Sequence, residues 1–351
     1  MPAHPKISLK FLRPMLVLGL AILAWESGHA QSAITTISTT TTTGTPTTVT
    51  GTNTITFDNN DTKLTSFTTA SATYNVTGLA TTAYTRRGTA ATSVAANNSS
   101  VWYDQGANST TMQSSYGTSM GSVLLGNDLT RGADNVFANG TGAPDGNIER
   151  LDFEFGTSGI TATSALAFAV FERGVSGQHD GFSIAVITGI DANGNPTSYG
   201  GNVVTTTTAE YGSNVYTPSG SYSLFRYGND GDNLSTWTAD TETGTQGLGG
   251  VVVSLTDLGI APGTIIYGYS LMATDVTTNT ANLVDWTNAT YYPTNSSDAT
   301  DAAGGLDPAA VNGVIFTKSA APEPTTSGAI FVGVMLGATL YRRAKKKPAL
   351  A

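Results

Sequence analysis

Between residues 60 and 320 this 351-residue chain has no amphipathic helical run of useful length. Short runs that alternate apolar and polar side chains take its place, separated by Gly, Asn, Asp and Pro. A period of two puts one face of a strand in a core and the other outside it, so the pattern restricts the fold to stacked or closed β-sheet. The clearest run is 148–155, where Leu151, Phe153 and Phe155 share one face and Arg150, Asp152 and Glu154 the other. Apolar runs at 166–172 and 183–190 read as buried strands, and weaker ones occur at 73–77, 101–104, 122–125, 221–227, 251–255, 264–273 and 314–317. The turn Asp191-Ala192-Asn193-Gly194-Asn195-Pro196 has hairpin chemistry. Together these predict an all-β body over 54–318, a jelly-roll-like β-sandwich of ten or more strands, with a candidate sub-boundary near 139–146.

The residues before the body divide into two parts. Residues 1–30 have the layout of a secretory signal peptide: Lys6, Lys10 and Arg13, then an apolar run of 11 at 15–25, then Gly28 and Ala30 flanking His29. Cleavage between Ala30 and Gln31 is expected. Residues 31–53 read as a polar leader, because 14 of the 22 residues from 35 to 56 are Thr and few long apolar side chains are available to bury.

At the other end, Ala320-Ala321-Pro322-Glu323-Pro324 precedes an apolar stretch at 328–341 and a basic cluster of Arg342, Arg343, Lys345, Lys346 and Lys347. This three-part tail resembles that of the PEP-CTERM proteins of Gram-negative bacteria, which carry a Pro-Glu-Pro motif, a short hydrophobic helix and terminal Arg and Lys residues in the same order. The resemblance is confined mainly to 321–351, within a sorting segment 319–351. It implies recognition by exosortase, a membrane transpeptidase, with processing near Pro322, Glu323 and Pro324. The physics of the segment points the same way. Residues 325–341, as a helix rising about 1.5 Å per residue, span about 25 Å, enough for a thinned membrane passage. The cationic cluster behind them holds that end in the cytoplasm. The body then lies on the outer side, after export through the secretion translocon.

Charge and composition exclude several functions. The chain holds 16 Lys+Arg against 25 Asp+Glu, a net charge of −9. With the cations of both terminal segments and Glu26 set aside, 31–324 keeps eight basic and 24 acidic residues, a net of −16. Such a surface disfavours nucleic acid. The absence of Cys rules out disulfides, thiolate catalysis and Cys-ligated metals.

Candidates for chemistry are few. His179 is the one imidazole between residues 31 and 324, in a Gly-rich stretch that reads as an exposed loop. Glu149, Asp152, Glu154 and Glu172 could supply the paired acids of a hydrolase, but their alternation with apolar residues and the adjacent Arg150 and Arg173 read as solvated sheet faces. No resident cofactor is expected. Calcium is the one ion the Asp-rich turns suit, at Asp58–Asp61, at Asp191, Asn193 and Asn195, and at Asp230 and Asp232, although none completes an EF-hand loop. Trp102, Trp237, Trp286 and Tyr222, Tyr227, Tyr267, Tyr269, Tyr291 and Tyr292 could stack on sugars or fill a core. The expectation is a non-catalytic, structural or adhesive protein of the cell surface or extracellular matrix. A carbohydrate-binding module for envelope or matrix polysaccharide is the alternative, ahead of a secreted hydrolase.

Overall fold

The computed structural model describes residues 31–50, 54–88, 99–109, 120–138, 148–218, 220–227, 238–293 and 305–320. The signal segment 1–30, the 139–146 boundary, the turn at Asp230 and Asp232, Trp237 and the tail 321–351 lie outside them. The described residues form 19 strands, numbered in chain order, and every strand pairing is antiparallel. The all-β expectation holds.

Where a jelly-roll-like sandwich was expected, six strands close into a ring. These are β1 (Ser32–Thr42), β4 (Asp61–Thr69), β5 (Thr73–Leu79), β11 (Leu166–Gly174), β16 (Gly247–Ser254) and β19 (Val314–Lys318), in the order β1-β16-β11-β19-β5-β4. Leu64, Phe67, Ala169, Phe171, Val252 and Phe316 fill its interior. The opposite faces of β11 and β16, carrying Phe168, Val170, Val251 and Val253, pack on a second layer.

That layer is a five-stranded sheet ordered β13-β12-β18-β9-β6, built from β6 (Thr82–Arg87), β9 (Ile148–Glu154), β12 (Phe182–Ile190), β13 (Pro196–Thr206) and β18 (Gly268–Met272). Its inner face places Leu151, Phe153, Ile184, Val186, Tyr269 and Leu271 against the ring. Its outer face carries Ala185, Ile187, Tyr199 and Met272, and Val276, Leu283 and Tyr292 of the excursion 275–293 cover it. Burial on both faces explains why 183–190 reads as a nearly continuous apolar run.

A four-stranded sheet ordered β15-β14-β7-β8 comprises β7 (Ser99–Asp104), β8 (Arg131–Ala133), β14 (Tyr222–Tyr227) and β15 (Thr238–Gly244). It sends Trp102, Tyr222 and Leu224 into the ring's core. Two small two-stranded pairs complete the set: the local pair β2 (Thr47–Thr50) with β3 (Thr54–Phe57), and the long-range pair β10 (Ile160–Thr161) with β17 (Ile265–Ile266).

Two expectations are corrected. Residues 122–125 are not a strand: Met120–Val123 form a helical turn, with Met120 and Val123 buried in the core. The Thr-rich segment is not a leader outside the fold, because β1 closes the ring between β4 and β16. Ile34 is 1% exposed and Ile37 packs on the same cluster. These two are three residues apart, and a register shift between Ile34 and Thr36 turns both inward. The Thr side chains around them stay largely exposed, as their chemistry favours, so the segment contributes its backbone more than its side chains.

Candidate functional site

The acids expected on solvated faces are buried. On the outer face of the five-stranded sheet, Arg150 and Asp152 are both inaccessible. Arg150 Nε and Nη2 donate to the two Asp152 oxygens at 2.6 and 3.0 Å. Arg86 Nε donates to the same carboxylate at 2.7 Å and Ser270 Oγ at 2.6 Å. Burial alone would raise the Asp152 carboxyl, but Arg150 and Arg86 hold it below the usual carboxylate range. With four donors converging on it, Asp152 is a structural anion, closed to acid–base exchange. Trp286 lies over both cations, with ring centroids 5.0 Å from Arg86 and 4.9 Å from Arg150.

The Asp191–Asn195 turn, one of the calcium candidates, is tied into this network. Asp191 Oδ1 accepts the backbone N–H groups of Asn193 and Asn195 at 2.8 Å each, and its Oδ2 accepts Asn195 Nδ2 at 2.9 Å. Asn195 Oδ1 and the Gly194 carbonyl accept from Arg86 at 2.8 and 2.9 Å. The oxygens a hard cation would recruit are thus occupied by the turn itself and by a guanidinium. Asn59, in the other described Asp/Asn turn, has φ 57° and donates to Thr45 and Thr47, an ordinary loop bond set. Among the described residues, no three His, Asp or Glu side chains lie together as metal ligands.

On the far side of the ring, β11 presents Glu172 and Arg173 to opposite faces. Arg173 Nη2 donates to Asp134 Oδ1 and to Asp307 Oδ2, 2.5 and 2.6 Å away. Its guanidinium stacks 3.8 Å from the Tyr222 ring centroid. Asp307 is nevertheless pushed up to about 7, because burial and the neighbouring Asp134 outweigh Arg173. Glu172 points between the ring and the sheet, toward His179. His179 is 1% exposed, so the expected exposed-loop histidine is in fact an interior one.

The aromatic residues divide by burial. Trp102, Tyr222, Tyr269 and Tyr292 are core side chains and offer no stacking platform, while Tyr267, Trp286 and Tyr291 are half-buried around the outer excursion. Sequence patterning misassigned the acids because alternation shows which side chains share a face, and only the tertiary fold shows what covers that face.

Both ends of the body meet at one mouth of the ring. Ser32 and Lys318 line a single cavity of about 110 Å³ together with Ser71, Tyr74, Ser254 and Asp257. The last ladder bonds there are Lys318 N–H to the Ala165 carbonyl and Ser319 N–H to the Thr73 carbonyl, each 2.7 Å. Gln31, the residue following the expected cleavage point, reaches the Thr205 carbonyl with its side-chain amide at 3.5 Å. Ala30 and the sorting residues Pro322, Glu323, Pro324, Arg342, Arg343, Lys345, Lys346 and Lys347 lie outside the described residues, where the 325–341 helix is also expected. No helix among the described residues is long and apolar enough to cross a membrane. Compared with known protein families, curated proteins and solved structures, the chain matches none.

Proposed function

We propose that the chain is an exported cell-surface or extracellular-matrix protein with a structural or adhesive, non-catalytic role. It is delivered by its N-terminal signal, held by the C-terminal hydrophobic segment with the body outside the inner membrane, and released by an exosortase-type transpeptidase near Pro322–Pro324. One observation carries the reading. The ladder of the body begins at Ser32 and ends at Ser319, at the same mouth of the ring, so both inferred cuts fall just beyond the last bonds and leave every described strand whole. Between Ser319 and Pro322 the chain can extend only about 10 Å at roughly 3.3–3.6 Å per residue. The mouth, rather than the opposite end, therefore faces the membrane during processing. The burial and saturation of Asp152 and the enclosure of Glu172 favour a non-catalytic role over a hydrolase.

The test is the mass and location of an epitope-tagged full chain, beside a variant lacking residues 325–351. The expected wild-type product starts at Gln31, has lost the tail and reaches the surface. A deletion variant with the same mature mass and surface location overturns the proposal.

A further inference from the structure

Past Ser32, the side of β16 that faces β1 is taken over by a carboxylate. β1 pairs with β16 as Ser32 with Val252 and Ala33 with Val251. Extended by two residues, that register puts Gln31 opposite Val253 and Ala30 opposite Ser254. Backbone N–H groups alternate sides along a strand. Leu255 N–H turns toward β11, where it donates to the Leu166 carbonyl, so Ser254 N–H turns toward β1. Continued pairing would give that N–H to the Ala30 carbonyl. It goes instead to Asp257 Oδ2 at 2.9 Å, which also accepts Ser254 Oγ at 2.7 Å, while Asp257 N–H donates to Ser254 Oγ at 3.2 Å. Asp257 thus stands in the acceptor position that the peptide joining Ala30 to Gln31 would otherwise fill.

That carboxylate has an oxygen to spare. Asp257 Oδ1 is buried and has no hydrogen-bond partner, a costly state for an acceptor. Gln31 and Asp257 line one open groove beside β13, where Gln31 Nε2 donates to the Thr205 carbonyl. On its other side Asp257 lines the mouth cavity with two titratable neighbours, Tyr74 of β5 and Lys318 of β19. Burial first, and then the Asp257 charge, hold the Tyr74 hydroxyl above its ordinary value. Lys318 makes no ion pair among the described residues. The mouth therefore holds a carboxylate oxygen without a donor beside the peptide bond whose cleavage is expected.

We propose that the α-ammonium freed at Gln31 by signal removal binds Asp257 Oδ1 and latches the start of β1 to the end of β16. The inference rests on cleavage between Ala30 and Gln31, part of the reading proposed above. In the uncut chain the Gln31 nitrogen is an amide with one proton and no charge. Cleavage turns it into a cation with three donors, which suits a charge-assisted bond to a carboxylate. The mouth of the ring gains this ion pair only after the signal leaves. The latch also bears on the fate of Gln31. A free N-terminal glutamine cyclises when its α-nitrogen bonds to its own Cδ and passes a proton to Nε2, which leaves as ammonia. A neighbouring carboxylate keeps the nitrogen protonated and non-nucleophilic, so the ring forms slowly.

In the experiment the full chain is expressed in an exporting Gram-negative host and its processed product is purified in detergent. Mass and N-terminal sequencing show where the product starts. Thermal midpoints then compare wild type with Asp257→Asn, which keeps an oxygen for the Ser254 cap. A third chain carries an Asn inserted between Ala30 and Gln31, which displaces the amine by one residue. At pH 6 both variants should melt about 2 °C below wild type, and combining them should cost no more than either alone. The pair stabilises fully below the unfolded amine's value of about 8 and is lost as pH rises through the raised folded value, so the gaps should close at about pH 10. At about pH 7.5 wild type should cyclise about tenfold more slowly than Asp257→Asn, read as the mass of ammonia lost. A product that starts at Gln31 but shows equal midpoints, equal gaps at both pH values or equal cyclisation rates overturns the latch alone. A product that starts elsewhere overturns the cleavage reading, and the latch with it. If Asp257→Asn does not fold, the inserted chain decides by the same pH comparison.

Discussion

Replacing Arg150 with Met keeps much of the side-chain volume and removes the guanidinium from the outer face of the five-stranded sheet. Asp152 then keeps Arg86 and Ser270 as donors but loses its bidentate partner in a site with no access to water. The Leu283 carbonyl and the Tyr292 hydroxyl lose a shared donor at the same time. Breaking one side of a buried ion pair typically costs about 3–5 kcal/mol, because the remaining charge stays desolvated. Retained volume and the Arg86 bond limit the damage, so we expect about 3 kcal/mol. Urea denaturation of wild type, Arg150→Met, Asp152→Leu and the double variant, with m-values compared, measures both the loss and the coupling. The double variant should be less destabilised than the sum of the singles by more than 1 kcal/mol, since each single change strands the other partner. A loss below about 1 kcal/mol for Arg150→Met, or additive singles, would refute the view that this pair holds the excursion 275–293 on the sheet.

Three further outcomes follow from the same geometry. Ile34→Ala should cost about 2–4 kcal/mol in urea melts, because β1 is a ring strand with its isoleucine in the core; a segment outside the fold would tolerate the change. Gly249→Ala should destabilise by about 1–3 kcal/mol through collision with the imidazole, and His179→Ala in the same chain should relieve most of that loss. Burial pushes Glu149 up to about 8 and Glu154 up to about 7, so both carboxyls are protonated in the fold at pH values where the unfolded chain has released its protons. Their stabilising effect is complete below about pH 4.5 and is lost as pH rises through 7 and 8. Melts at pH 5 and pH 8.5 should show the decline, and Glu149→Gln should flatten it.

How much of this was legible in the sequence varied from strand to strand. Residues 148–155 carry strict alternation, and β9 forms there with Leu151 and Phe153 facing the ring as the pattern requires. β1 was not legible, because its two isoleucines are spaced by three and only the register shift against β4 reconciles that spacing with one inward face. The Gly-rich start of β16 carries no apolar pattern at all, since its small residues make room for His179 and Phe171 rather than filling space themselves. For the acids, alternation correctly grouped Arg150, Asp152 and Glu154 on one face and was silent about the excursion that covers it.

By itself the sequence determined the all-β class, the lack of thiol chemistry, the acidic balance of residues 31–324 and the resemblance of the tail to a sorting signal. Each of these depends on local residue order or on residue counts. The tertiary structure alone decided that a ring closes, that Glu172 and Arg173 part to opposite sides of β11, that His179 is interior, and that Ser32 and Lys318 share one mouth. The physical reason is range. Alternation and turn chemistry act over a few residues, whereas ring closure and the burial of charge depend on pairings such as Ala33 with Val251 and Leu166 with Thr317, which join segments far apart in the chain.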